Sequence, residues 1–460
     1  MRPRDFDLTS RQRRTLLKAF GASGLLAAVG RNLALAQSAP DYKALVGIYL
    51  RGGNDGENTL VRYDNAGYQN YASVRTPASG LNLAQGQLLP IQPASLATPF
   101  GFHPACGALQ SLFQKKRLAV VANMGMLVQP STRIGLTTQG GPRPANLFSH
   151  SDQQLAMESA DYTGYNRVGW GGRLADKLDA FNAGQLFPPL ITTAGQQTFV
   201  NGRTTIPMNV NGGANLAIEN SGNGRFQFDA LREAGLKEIL AQGLTNTYDL
   251  AAQLLSEQGF SAASVVAPIM SNPASIVPPF FAQANSEIAG NLKSIALMLE
   301  GRAQTQLKRQ IFFVNDNGYD THDSQLGFHQ SRLGDLSQGI GAFQAALAAL
   351  GLEDRVTTFT FSDFGRTFKP AAGAGTDHGW GSYGFVCGGA VKGGDFYGTL
   401  PTQALGGPDD LGDDGRWIPT TSLDQYGATL ARWFGIGEAD LHYVFPNMGA
   451  FTSTNLGFMG

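Results

Sequence analysis

The stretch "ALVGIYLRGGNDGENT", Ala44 to Thr59, moves from seven apolar or small residues into a loop rich in glycine and polar side chains. An apolar run of that length bounded by turn residues reads as a buried strand. Three further segments repeat the pattern: "LAVVANMG" (Leu118 to Gly125), "QIFFVND" (Gln310 to Asp316) and "RVTTFTFSD" (Arg355 to Asp363). A helix-like "CGALQSLFQKK" precedes the second strand, and "NSEIAGNLKSIALMLEGR" precedes the third. Between the last two strands, Leu333, Leu336, Ile340, Phe343, Leu347 and Leu350 recur at helical spacing on one face. Strands that alternate with helices predict an α/β fold, with a central, mainly parallel sheet and helices on both faces. The segments Ala44–Leu50, Leu118–Asn123, Ile311–Val314 and Val356–Phe361 are expected as neighbours in it. Residues 192–275 are less regular and read as an insertion of short strands and turns over the site.

Ligands of such sheets bind beyond the carboxyl ends of the strands, where Asp55, Asp320 and Asp363 fall. Five short stretches carry the chemistry. "GGNDGENT" holds Asp55, "GYDTHDSQ" holds Asp320 and His322, and "FSDFGRT" holds Asp363 and Arg366. "GTDHGW" holds Asp377 and His378, and "NLFSHSDQQ" sets Ser149, His150 and Ser151 where a helix begins. Several carboxylates at one sheet end repel one another unless a cation lies among them. Asp oxygens mixed with imidazoles suit zinc, manganese or iron better than calcium. Arg366 offers a planar fork for an oxyanion. Each residue also has a plainer reading: Asp55 in "NDG" shapes a turn, Ser149 caps a helix, and His103, His329 and His442 are structural or surface residues.

The N-terminus pairs Arg13 and Arg14 ahead of an apolar run, Ala19 to Val29, too short to span a bilayer. The small residues Ala34 and Ala36 follow, which completes an export signal over 1–36 of the twin-arginine type. That assigns a periplasmic or secreted location and the twin-arginine translocase as a partner during export. Residues 37–460 are expected to form one α/β domain. Of 34 basic and 35 acidic residues, the signal holds seven and two, leaving an acidic remainder. Such a balance argues against nucleic acid as a partner, and no later segment reads as transmembrane. Cys106 and Cys387 read as buried thiols.

The motifs "LRGGNDGENTLV", "FSHSDQQ", "GYDTH", "SDFGRT" and "GTDHGWGSYGFVCGGAVKGG" resemble a bacterial family called domain of unknown function 1501. That family is similar to the alkaline phosphatase and sulfatase superfamily. The resemblance implies an alkaline-phosphatase-like fold and a divalent metal, zinc, manganese or similar, bound by Asp55, Asp320, His322, Asp363, Asp377 and His378. It also implies a nucleophile at Ser149, or alternatively Ser151, assisted by Arg366 and Lys392. The chain departs from the superfamily at Phe364, where a histidine is expected. Either His378 supplies that ligand from the later loop, or a second metal is absent. Two functions follow. One is a periplasmic metal-dependent hydrolase of phosphate or sulfate esters acting on a small ester substrate. The other is a non-catalytic exported binding or scaffold protein that serves an envelope partner.

Overall fold

A computed structural model describes residues 42–185, 187–210, 229–240, 242 and 246–460. The expected export signal, 1–36, lies outside them. Among the described residues, nine strands form one sheet: β1 (Lys43–Arg51), β2 (Leu118–Gly125), β3 (Leu190–Thr192), β4 (Met208–Asn209), β5 (Arg309–Asn317), β6 (Val356–Ser362), β7 (Ser382–Cys387), β8 (Phe396–Tyr397) and β9 (Thr421–Ser422). Their order is β8-β2-β7-β6-β1-β5-β3-β4, with β9 also paired to β2. β1 runs parallel to both neighbours, Leu50 opposite Ser362 on one side and Arg51 opposite Asn317 on the other. Only β7 is antiparallel, between β6 and β2. The mainly parallel α/β expectation therefore holds. The expected adjacency holds for β5, β1 and β6, but β7 separates β6 from β2. Its sequence, "SYGFVC", sits inside a glycine-rich run and is not among the expected strands.

β1 is buried on both faces along seven consecutive residues, which is why it reads as an apolar run without alternation. One face packs under helices α1 (Gly107–Gln114), α5 (Glu287–Glu300) and α6 (Gln325–Ala349), joining Val46, Ile48, Phe312 and Val314 to Leu109, Leu292 and Ile340. The other packs under α2 (His150–Ser159), α3 (Trp170–Leu178) and α7 (Leu423–Phe434), joining Tyr49, Phe313 and Phe361 to Trp170, Leu174 and Leu430. Leu333, Leu336, Ile340, Phe343 and Leu347 of α6 are fully buried, each stabilising by roughly 1.5–3 kcal/mol. Ser422 and Gln425 close a capping box at the start of α7.

Within 192–275 the described residues include two helices, Asp229–Leu240 and α4 (Thr247–Met270). Ala262 and Val266 of α4 are buried in the core beside α5. The irregular reading missed these helices because α4 is apolar on nearly every side and shows little periodicity. Both cysteines are buried and free. Among the described residues, no helix is long and apolar enough to cross a membrane.

Beyond β1 the chain turns into one helical turn, Gly56–Thr59, capped by Asp55. Asp55 and Arg75 are fully buried and doubly bonded, with Nη1 to Oδ2 at 2.6 Å and Nη2 to Oδ1 at 3.0 Å. Burial alone would raise the Asp55 carboxyl; Arg75 outweighs it and holds it low. Next to it, burial lifts Glu57 to about 7, while its oxygens accept from Trp417 and Gln403. Removing one partner of a buried pair leaves an unpaired charge, so Arg75→Met should cost about 3–5 kcal/mol in denaturant unfolding. Native Glu57 keeps its proton to about 7, whereas the unfolded group loses it near 4.5. Wild-type stability therefore falls as pH rises through that window. Glu57→Gln should lack the fall, so its melting temperature should gain on wild type between pH 5 and pH 8.

Candidate metal centre

Four side chains from three segments meet at the carboxyl end of the sheet. His150 is the first residue of α2, Asp320 and His322 follow β5, and His378 lies in the loop before β7. One ligand atom from each lies within 4.8 Å of all the others. His322 Nε2 is 2.9 Å from Asp320 Oδ1 and 2.9 Å from His378 Nε2. His150 Nε2 and His378 Nε2 lie 3.3 and 3.5 Å from the same Asp320 oxygen.

The surroundings fix three of the four. His150 Nδ1 is 2.7 Å from Asp363 Oδ2. A carboxylate accepts, so Nδ1 carries the proton and the Nε2 lone pair faces the cluster. That Nε2 is buried and has no hydrogen-bond donor. His378 Nδ1 likewise donates to the Phe148 carbonyl at 2.7 Å, again freeing Nε2 as a ligand. Phe148 takes φ +78° to present that carbonyl, a strained value for a bulky residue of the kind found at functional sites. Asp320 Oδ1 accepts from Arg366 Nη1 at 2.9 Å. Lone pairs on two buried or half-buried imidazoles aimed at a carboxylate, each backed by an outer hydrogen bond, are what a metal ligand set requires. The donors fit a transition metal, and imidazole makes it a poor site for magnesium or calcium.

The charges follow the same geometry. The Asp363 hydrogen bond raises His150. Burial, with His150 and Arg366 nearby, lowers His378. Burial would raise Asp320, but His150 and Arg366 hold it below the usual carboxylate range. Phe364 packs its ring 4.8 Å from both His150 and His378, so the residue standing where a histidine was expected forms a wall of the cluster.

Close backbone approach brings the loops together. Gly379 lies against the Arg366 backbone and Gly375 against the His322 carbonyl, where a Cβ would collide. Gly379 N–H donates to Gly365 O at 2.8 Å, and Arg366 bridges to His378 across an antiparallel pair. "GTDHGW" thus closes over "SDFGRT" as a ligand loop.

Of the six expected metal ligands, Asp320, His322 and His378 converge. Three do not join the cluster. Asp55 is taken up by Arg75, Gln325 and its own helical turn. Asp363 stands one layer behind, where Oδ2 accepts from His150, Gln154 and Gly52. Asp377 points outward to Arg416 at 3.1 Å and caps its own loop through His378 N–H. Arg366 is buried with its donors on Asp320 and Thr376, so it holds a ligand where an oxyanion clamp was expected. Ser149 donates to Asp152 Oδ2 at 2.6 Å, and Ser151 is exposed. Lys392 follows β7, whose antiparallel course carries it to the opposite end of the sheet beside Leu118. The unexpected ligand is His150, overshadowed in sequence by its two serine neighbours; its place as first residue of a helix was the available signal.

Solved structures align with the chain at low similarity. The PsFucS1 sulfatase from Pseudoalteromonas sp. is 8% identical with a TM-score of 0.35, covering 90% of this chain and 71% of that one. The lipoteichoic acid synthase LtaP from Listeria monocytogenes is 8% identical with a TM-score of 0.35, covering 89% and 79%. A mutant form of the alkaline phosphatase PafA is 11% identical with a TM-score of 0.27, covering 73% and 65%. At such scores the likeness carries no inference about activity. No curated protein matches the chain in sequence. Residues 42–410 match the family described as "Protein of unknown function (DUF1501)", and with most of its length so matched, the chain belongs to that family.

Proposed function

We propose that the protein is an exported, metal-dependent hydrolase of phosphate or sulfate esters that works with one transition-metal ion. The observation that carries this reading is the convergence of His150, Asp320, His322 and His378 with their outer hydrogen bonds. A divalent ion bound there acts as a Lewis acid and lowers the pKa of water at the site. The chain's own residues supply the rest. Asp363 and the Phe148 carbonyl keep His150 and His378 in the tautomer that binds. Arg366 keeps the Asp320 carboxylate ionised and oriented. Phe364 keeps water off the back of two imidazoles.

Ser149 hydrogen-bonds to Asp152, whose carboxylate is held below its usual range chiefly by that same bond. With the Ser149 hydroxyl engaged by Asp152 and Ser151, we assign the attack to water and not to that hydroxyl. A second reading, a binding or scaffold protein of the envelope, is favoured by Arg366: each of its three guanidinium nitrogens already donates within the protein, so its fork is not presented to an oxyanion. The paired arginines Arg13 and Arg14 support export by the twin-arginine route.

Elemental analysis of the purified protein should find about one zinc, manganese or iron per chain, following the one-ion donor set. Asp363→Asn should weaken metal binding about 10- to 100-fold by removing the support of His150. With metal loaded, a screen of phosphate and sulfate monoesters should give hydrolysis that chelation abolishes and Ser149→Ala largely spares. A metal-loaded protein inert to every ester class would favour the binding reading, and loss of hydrolysis in Ser149→Ala would restore the serine as nucleophile. Arg13→Lys with Arg14→Lys should leave precursor in the cytoplasm on fractionation; normal export of that double variant would exclude the twin-arginine route.

A further inference from the structure

The four ligands are not held alike. His150 and His378 have side chains only 26% and 19% exposed, each with Nδ1 engaged by a buried or half-buried acceptor. Asp320 is 45% exposed but pinned by Arg366, whose side chain is fully buried. His322 is 46% exposed, and among the described residues no hydrogen bond reaches its Nδ1. Its ring is hydrogen-bonded at Nε2 alone, to Asp320 and His378, and otherwise rests against the His378 ring at 4.8 Å.

Its backbone, by contrast, is firmly anchored. Thr376 N–H donates to Thr321 O, Ser324 N–H to Gly373 O and Gln325 N–H to Ala374 O. The His322 carbonyl is packed against Gly375. Once the Nε2 contacts are released, movement of His322 is left to its side-chain torsions, and an exposed side chain changes rotamer on the picosecond-to-nanosecond scale. The centre also attracts anions. A dication with one carboxylate ligand keeps a net positive charge, and the buried Arg366 guanidinium adds to it while Asp363 offsets part.

Resting on the metal reading above, we infer that His322 is the exchangeable ligand of the centre. Its imidazole swings out to solvent and yields its position to one oxygen of a tetrahedral oxyanion, a phosphate or sulfate group. His150, His378 and Asp320 remain as a fixed three-point seat. The exchange breaks one metal–nitrogen bond and forms one metal–oxygen bond, and no proton or electron moves.

Cobalt(II), whose visible spectrum reports its ligands, tests this on the purified protein. His322→Ala should keep one cobalt per chain with affinity lowered about tenfold or less, no more than the low end of the loss on removing an outer-shell partner. His378→Ala should lower affinity more than 100-fold. Added imidazole should restore the wild-type spectrum to His322→Ala, and inorganic phosphate should compete with that imidazole for a single position. Equal loss of cobalt in His322→Ala and His378→Ala would overturn the inference, as would phosphate and imidazole binding to His322→Ala without competition. A wild-type protein that takes up no cobalt, zinc or manganese would instead remove the metal reading itself, and this inference with it.

Discussion

One carboxylate oxygen, Oδ2 of Asp363, receives three donors from three parts of the chain. The Gly52 N–H comes from the end of β1, His150 Nδ1 from the first turn of α2, and Gln154 Nε2 from the second. Asp363 itself immediately follows β6. A buried charge of this kind is tolerated only when hydrogen-bonded, so the geometry of all three elements is constrained together. The Tyr49 phenol in the same buried layer is kept protonated by burial and by the Asp363 and Glu158 charges. The direction of the His150 ring follows from this arrangement, and with it the possibility of a ligand cluster at all.

The remaining ligands are placed by similar means. Arg366 fixes Asp320 from beneath and anchors the "GTDHGW" loop through Thr376. That loop brings His378 over the cluster, and the strained Phe148 carbonyl turns its ring. Two arginines therefore do different work at one sheet end. Arg75 neutralises Asp55 in a fully buried pair away from the ligand set, and Arg366 serves the ligand set directly. The result is a nitrogen-rich centre with one carboxylate, in which the Phe364 ring packs at a tilt against two imidazoles.

Much of the fold was legible in the sequence because buried parallel strands are written as apolar runs and α6 as a regular stripe. β7 was hidden for the opposite reason: Gly384 sits where a Cβ would press on Met124 of β2, the Thr360 carbonyl and the Tyr426 ring, and a short strand containing glycine and serine reads as loop. At the site, Asp320, His322 and His378 were legible from residue type and from their place after strands. Asp55 and Asp363 have the same type and position, and what separates them from ligands is a partner distant in sequence, Arg75 for one and His150 for the other. Such pairings depend on tertiary contacts that no local pattern encodes. His150 went unread because a histidine between two serines at a helix start looks like a capping segment.

The most direct test of the account is a crystal structure of the metal-loaded protein with anomalous scattering collected at the metal edge. The account predicts one peak, within bonding distance of His150 Nε2, His378 Nε2 and Asp320, with Asp363 in the outer layer. A peak on Asp55 or Asp363 with the three histidines unligated, or two peaks sharing these residues, would contradict it.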